Sequence, residues 1–212
     1  MKTIVIGASG RTGSQILSEI KKDGTQVVAG VRSTKKAAEF ENHGIETAII
    51  DIVNMTVDEI AEKLADIDSI VFASGASQAH PEQAMWIDLD GAVKVMQAAI
   101  KNHIEKFIMI SAAGAEDRAT WSIYDIPQYY IAKYYAEQYL KTSGLIYTVI
   151  RPAILTDDKA KKEVDLINNN NPRITRQDVA LVTVEALKNE KFNNKSFNLY
   201  AGTTKISDIK PL

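Results

Sequence analysis

The chain has 212 residues, enough for one domain with a substantial core and too few for two full-sized ones. With 45% hydrophobic and 25% charged residues and a formal net charge of −2, it has the balance of an ordinary soluble protein and no general attraction for nucleic acid. There is no cysteine, which excludes disulfides and thiolate chemistry; MKTIVIG has no signal-peptide layout, and no apolar run approaches the roughly 18–20 residues that span a bilayer, so a cytoplasmic protein without a membrane partner is expected.

In chain order, TIVIG reads as a strand, TGSQILSEIKKDG as a helix, QVVAGVR as a strand, and residues 35–43 as a polar–apolar helical stretch. The alternation continues through the strand ETAIID, the helix VDEIAEKLAD, the strand DSIVFAS, the long helix AMWIDLDGAVKVMQAAIKNH and the strand EKFIMIS. A helix over about residues 127–143 and the strand YTVIRP follow. The six strands are near-continuous runs of Ile and Val, which suits parallel strands covered by helices on both faces. The expected fold is α/β: an open, doubly wound, mostly parallel sheet of the Rossmann type, in a single domain over residues 1–212. After Pro152 the rhythm weakens through a charged stretch at 157–165 and an asparagine run at 168–171 that reads as a loop. RQDVALVTVEALKN and KSFNLYAG then add one helix and one strand, so residues from about 153 to 212 complete the sheet and leave a small elaboration on the substrate side.

IVIGASGRTGSQIL places Gly7, Gly10 and Gly13 between the first strand and the first helix in the spacing GxxGxxG. Gly7 permits the tight turn, Gly10 lets the backbone approach a pyrophosphate, and Gly13 lets the helix pack close to the sheet. The helix N-terminus faces the anion, with Ser9, Arg11 and Thr12 as further donors. Enzymes that prefer NAD usually end the second strand in Asp or Glu, which holds the ribose hydroxyls. Here Arg32 stands there, followed by Ser33, Thr34 and Lys35. A guanidinium pairs with a 2′-phosphate, so NADP(H) is expected over NAD(H); the alternative is a solvated basic turn. Asp51 and Ile52 end the third strand and Ala73, Ser74 and Gly75 the fourth, at the carboxyl ends where such sheets bind ligands, and are expected to flank the adenine and its ribose.

GASGRTG, DLDGAVKVMQAA, KFIMISAAGAE and YYIAKYYAEQYLKTSGLIYTVIRP, in this order, resemble the short-chain dehydrogenase/reductase superfamily, specifically its shorter atypical members similar to the extended type. The resemblance runs from the first strand to about Gly202. It implies a tyrosine that exchanges a proton with a carbonyl or alcohol, and a lysine four residues later that binds the nicotinamide ribose and lowers the tyrosine pKa. Tyr129 and Lys133 match that YxxxK pair; Tyr130 shifts the phase by one, and Tyr124, Tyr134 and Tyr135 crowd the same stretch. The family's substrate-polarising serine is usually the later of two consecutive serines, whereas this chain reads Ser111-Ala112, so Ser111 is either the catalytic hydroxyl or only a cofactor contact. Asp88 replaces the asparagine that often begins the central helix motif; its other readings are solubility or a helix hydrogen bond. By the same resemblance Pro152, Ala153 and Ile154 lie beside the nicotinamide carboxamide.

Extended members carry a sizeable C-terminal substrate domain, but only about sixty residues follow Pro152, so a small lid is implied. Trp86, Trp121, Tyr124 and the 157–165 stretch are candidates to line or cover it, or to serve as core or dimer surface. The resulting expectation is an NADP(H)-dependent oxidoreductase or epimerase-like enzyme acting on a small carbonyl or alcohol. Its alternatives are a reductase that takes its proton from solvent and a non-catalytic, dinucleotide-binding redox sensor. The partner expected is a small molecule, not nucleic acid, with monomer and homodimer both open. No metal is expected: His43, His80 and His103, the only histidines, lie in separate segments without ligand spacing.

Overall fold

The computed structural model describes residues 1–77, 79–122, 126–168 and 170–211. Its first half alternates strand and helix: β1 (Lys2–Ile6), α1 (Arg11–Lys22), β2 (Gln26–Val31), α2 (Thr34–Glu41), β3 (Glu46–Ile49), α3 (Val57–Lys63) and β4 (Ser69–Phe72). There follow a π-helical turn at Met85–Gly91, α4 (Ala92–Lys101), β5 (Lys106–Ile110), α5 (Pro127–Thr142) and β6 (Ile146–Pro152). The remainder holds β7 (Ile154–Thr156), β8 (Glu163–Asp165), β9 (Arg173–Thr175), α6 (Arg176–Lys188), β10 (Lys195–Ala201) and β11 (Thr204–Lys205).

The main sheet runs β11-β8-β10-β6-β5-β4-β1-β2-β3. Strands β1 to β6 and β10 are parallel, and only β8 and β11 join antiparallel at one edge. This is the doubly wound order, reversing between β1 and β4, where such sheets open a ligand crevice. Within each strand successive residues point to opposite faces. Ile4, Ile70, Phe72, Phe107 and Met109 therefore pack with α3, α4 and α5 residues such as Ile60, Met96 and Leu140 on one face. Val5, Val71, Ile108 and Ile150 pack with Ile16, Leu17, Val179 and Val182 of α1 and α6 on the other.

Two segments depart from expectation. The long central helix is not uniformly α: Met85–Gly91 is a π turn, and a Cβ on Gly91 would lie 2.9 Å from the Ile52 side chain, so the backbone there is pressed against the turn after β3. The region after Pro152, where one helix and one strand were expected beside a weakened rhythm and a loop, also contains the short parallel pair β7 and β9 and the edge strands β8 and β11. Such two- and three-residue strands are too brief to leave a period in the sequence.

Candidate functional site

At the crevice, Gly7 has φ +86°, and a Cβ there would sit 2.7–2.9 Å from Ser74 at the end of β4. Only glycine permits this turn and this approach. A Cβ on Gly13 would run into the Gly7 carbonyl, which fixes how closely α1 sits on the loop. Gly13→Ala is expected to destabilise the fold by about 1–3 kcal/mol through overpacking. Urea denaturation measures this, and an unchanged midpoint would show that α1 shifts freely. Helix α1 starts at Gly10 with no side-chain cap and no acidic residue in its first turn. Its leading N–H groups are thus left for an anion, so the Ser9–Gly13 segment fits a pyrophosphate.

The other expected cofactor contacts gather on the same edge of the sheet. Arg32 is exposed just past β2, and Ser33 is engaged as the N-cap of α2. Burial opposes ionisation of Asp51, yet hydrogen bonds from Asn54 and Val53 and the nearby Arg32 charge hold its carboxyl below the ordinary value. Ile52 is buried and packs in the core. Ala73, Ser74 and Gly75 follow β4; Pro152 ends β6, Ala153 packs against the core and Ile154 is 46% exposed.

Lys133, in the second turn of α5, is 2% exposed. Its ammonium lies 2.9 Å from Asp88 Oδ1 and donates to the carbonyl oxygens of Ile110 at 3.0 Å and Ser74 at 3.4 Å. Burial works against its charge, but Asp88, Tyr129 and Glu137 outweigh burial and hold the lysine above its ordinary value. Asp88 is 0% exposed, and its Oδ2 accepts the Ala76 N–H at 2.7 Å. Neither solubility nor a helix hydrogen bond describes it, because the π turn delivers it to Lys133. Tyr129 places its ring 5.7 Å from Lys133 Nζ; the side chain keeps some open surface while the phenol is densely surrounded by protein. Burial pushes this phenol above its ordinary value, and Asp88 opposes the lowering pull of Lys133. The pKa lowering expected from a lone YxxxK pair is therefore not found. Tyr130 is buried with Trp121 and Ala115, and Tyr129 packs against the same cluster while its ring lies beside the Lys133 ammonium.

Ser111, 5% exposed, donates its hydroxyl hydrogen to Glu137 at 2.6 Å, so the proton needed to polarise a carbonyl is engaged elsewhere. Ala112 packs against the Trp121 cluster. Glu137 is wholly buried and receives Arg151 through Nε at 3.0 Å and Nη2 at 2.6 Å. This network is absent from the sequence reading, although an arginine inside the apolar run YTVIRP signals a buried partner. Arg11 and Arg176 both reach Asp157, the latter at 2.6 Å, tying the glycine loop to the segment after β7. Trp121 is buried and donates to the Ala115 carbonyl at 3.0 Å, Trp86 is exposed, and Tyr124 lies outside the described residues. All three histidines are exposed.

Residues 7–190 match the model of a family described as NAD(P)H-binding. The UPF0659 protein YMR090W of Saccharomyces cerevisiae is 34% identical over 197 residues, covering 88% of this chain and 87% of its own. The uncharacterized sugar epimerase YhfK of Bacillus subtilis is 32% identical, with 98% of each chain covered. A putative NAD-dependent epimerase/dehydratase from Bacillus halodurans superposes with a TM-score of 0.89 at 31% identity, covering 98% of this chain and 97% of that one.

Proposed function

The chain belongs to the NAD(P)H-binding family, and we propose that it is an NADP(H)-dependent oxidoreductase acting on a small carbonyl or alcohol compound. The observation that carries this reading is the joining of Tyr129 and Lys133 to the glycine loop: Lys133 donates to the Ser74 carbonyl, and Ser74 walls the Gly7 turn. One side of the crevice thus presents anion-binding amides and the other a phenol beside an ammonium. The Ser9–Gly13 segment would hold the pyrophosphate, Arg32 the 2′-phosphate, Asp51 and Ser74 the adenosine side, and Lys133 the nicotinamide ribose. Pro152, Ala153 and Ile154 would border the nicotinamide. A bound nicotinamide supplies or accepts hydride at the substrate carbon. Tyr129 handles the proton at the substrate oxygen. Part of the chain from about 153 onward, including Asp157, would form the small cover on the substrate side, while α6 and β10 complete the fold.

Cofactor choice is tested by binding. Arg32→Ala is expected to weaken NADPH roughly 10- to 100-fold, the equivalent of losing a charged hydrogen-bonded contact, with NADH affinity nearly unchanged. Equal losses for both cofactors would remove Arg32 as the selector. Enzymatic function is tested by following NADPH oxidation with a panel of small aldehydes, ketones and quinones. A second reading, a dinucleotide-binding redox sensor, is favoured by Ala112, which offers no hydroxyl, and by the engaged Ser111. Tight NADPH binding without turnover of any acceptor would select it.

A further inference from the structure

The ion pair behind Tyr129 determines more than where Lys133 sits. An ammonium alone beside a phenol favours the phenolate, and so favours a group that removes protons from alcohols. Here the ammonium lies 2.9 Å from a carboxylate that is itself wholly buried, so the pair presents almost no net charge to the phenol. The Asp88 side chain is held in place by the Ala76 amide, and the π turn at Met85–Gly91 carries it inward. We propose that Asp88 is a positioning residue which, acting through Lys133, keeps Tyr129 protonated, so that the site delivers a proton to a carbonyl oxygen instead of drawing one from an alcohol.

This rests on the oxidoreductase reading and gives it a direction: the substrate enters as a carbonyl compound. In the step, the O–H bond of Tyr129 breaks and its proton forms the new O–H bond of the product alcohol. Water reprotonates the phenolate, while the hydride and its two electrons come from the reduced nicotinamide cofactor. An oxidative first step, as an epimerase requires, needs the phenolate and is disfavoured by the same arrangement.

Charged groups on α5, on the turns that pack against it and on the loop after β5 are engaged with other partners. On α5, Glu137 is taken by Arg151 and Ser111, with Lys141 at 3.7 Å. On the π turn, Asp90 faces Lys94 at 3.4 Å. His80 and Glu82, from the turn before it, face each other at 3.2 Å on the surface. On the loop after β5, Glu116 pairs with Asn198 and approaches Arg151, Asp117 caps the following turn, and Arg118 lies over Trp121 and Tyr134. Among these described residues, Asp88 and Lys133 are therefore the pair that sets the charge at Tyr129.

The test uses the full-length, cofactor-free protein and follows phenolate absorbance on raising the pH. Subtracting the matching Tyr129→Phe protein isolates Tyr129. In the native protein Tyr129 is expected to ionise above about pH 10, the ordinary tyrosine value. Asp88→Asn, which removes the charge and keeps the size, is expected to move it down by about one unit or more, and Asp88→Glu to hold it near the native position. Ionisation of native Tyr129 below the ordinary value, or no downward shift in a folded Asp88→Asn protein, overturns the proposal. Should Asp88→Asn fail to fold, Asp88→Ser is titrated in its place, with the same downward shift expected and its absence in the folded protein overturning the proposal. Absence of NADPH binding would instead overturn the oxidoreductase reading together with its direction. Low ionisation with NADPH binding intact overturns only the role of Asp88.

Discussion

Tyr129→Phe is expected to lower the rate of carbonyl reduction by about 100- to 10,000-fold, the range that a positioned general acid contributes. The substitution removes one oxygen and keeps the ring. Its edge contact with Tyr130, 5.5 Å between centroids, and its place near Lys133 should therefore survive. NADPH affinity is then nearly unchanged, since the glycine loop, Arg32 and Lys133 are untouched, and the deficit falls on kcat. Steady-state kinetics with the best panel substrate, together with fluorescence titration of NADPH, make the measurement. A rate within a factor of a few of the native one would mean that the proton comes from solvent, and Tyr129 would lose its role.

The second large effect is structural. Arg151→Met should destabilise the fold by about 3–5 kcal/mol, because it leaves the wholly buried Glu137 carboxylate without its bidentate partner. The cost is that of an uncompensated buried charge and not the net contribution of the pair. The double variant Arg151→Met with Glu137→Met is accordingly expected to recover a large part of the loss. Urea unfolding of both proteins separates these terms. A single variant that loses less than about 1 kcal/mol would show that water or Lys141, 3.7 Å from Glu137, takes over.

The layered fold was readable because its signal is local. The Ile- and Val-rich runs at residues 3–6, 69–72 and 106–110 became central strands, and the spacing of Gly7, Gly10 and Gly13 became the turn before α1. The site was readable only where spacing carries chemistry. Lys133 and Tyr129, four apart on one helix, were identifiable as a pair, but adjacent tyrosines share a composition, and only the packing buries Tyr130 in the Trp121 cluster while Tyr129, at its margin, keeps some open surface. Asp88 was visible as an unusual residue, whereas its partner 45 positions later was not. An α-helical period cannot announce the π turn that brings them together. Glu137 and Arg151 were missed for a related reason: they lie on different elements, and their pairing is a property of packing and not of periodicity.

Strand β1, which carries the glycine loop, lies between β2 and β4, two strands in from the β3 edge, with helices on both faces. Its amides can exchange with solvent only when a large part of the molecule opens, whereas the short edge strands β8 and β11 can fray separately. The glycine turn is therefore expected to exchange more slowly than the edge strands β8 and β11. Because Arg11 and Arg176 both reach Asp157, opening of the segment after β7 is expected to release a tether on the first turn of α1.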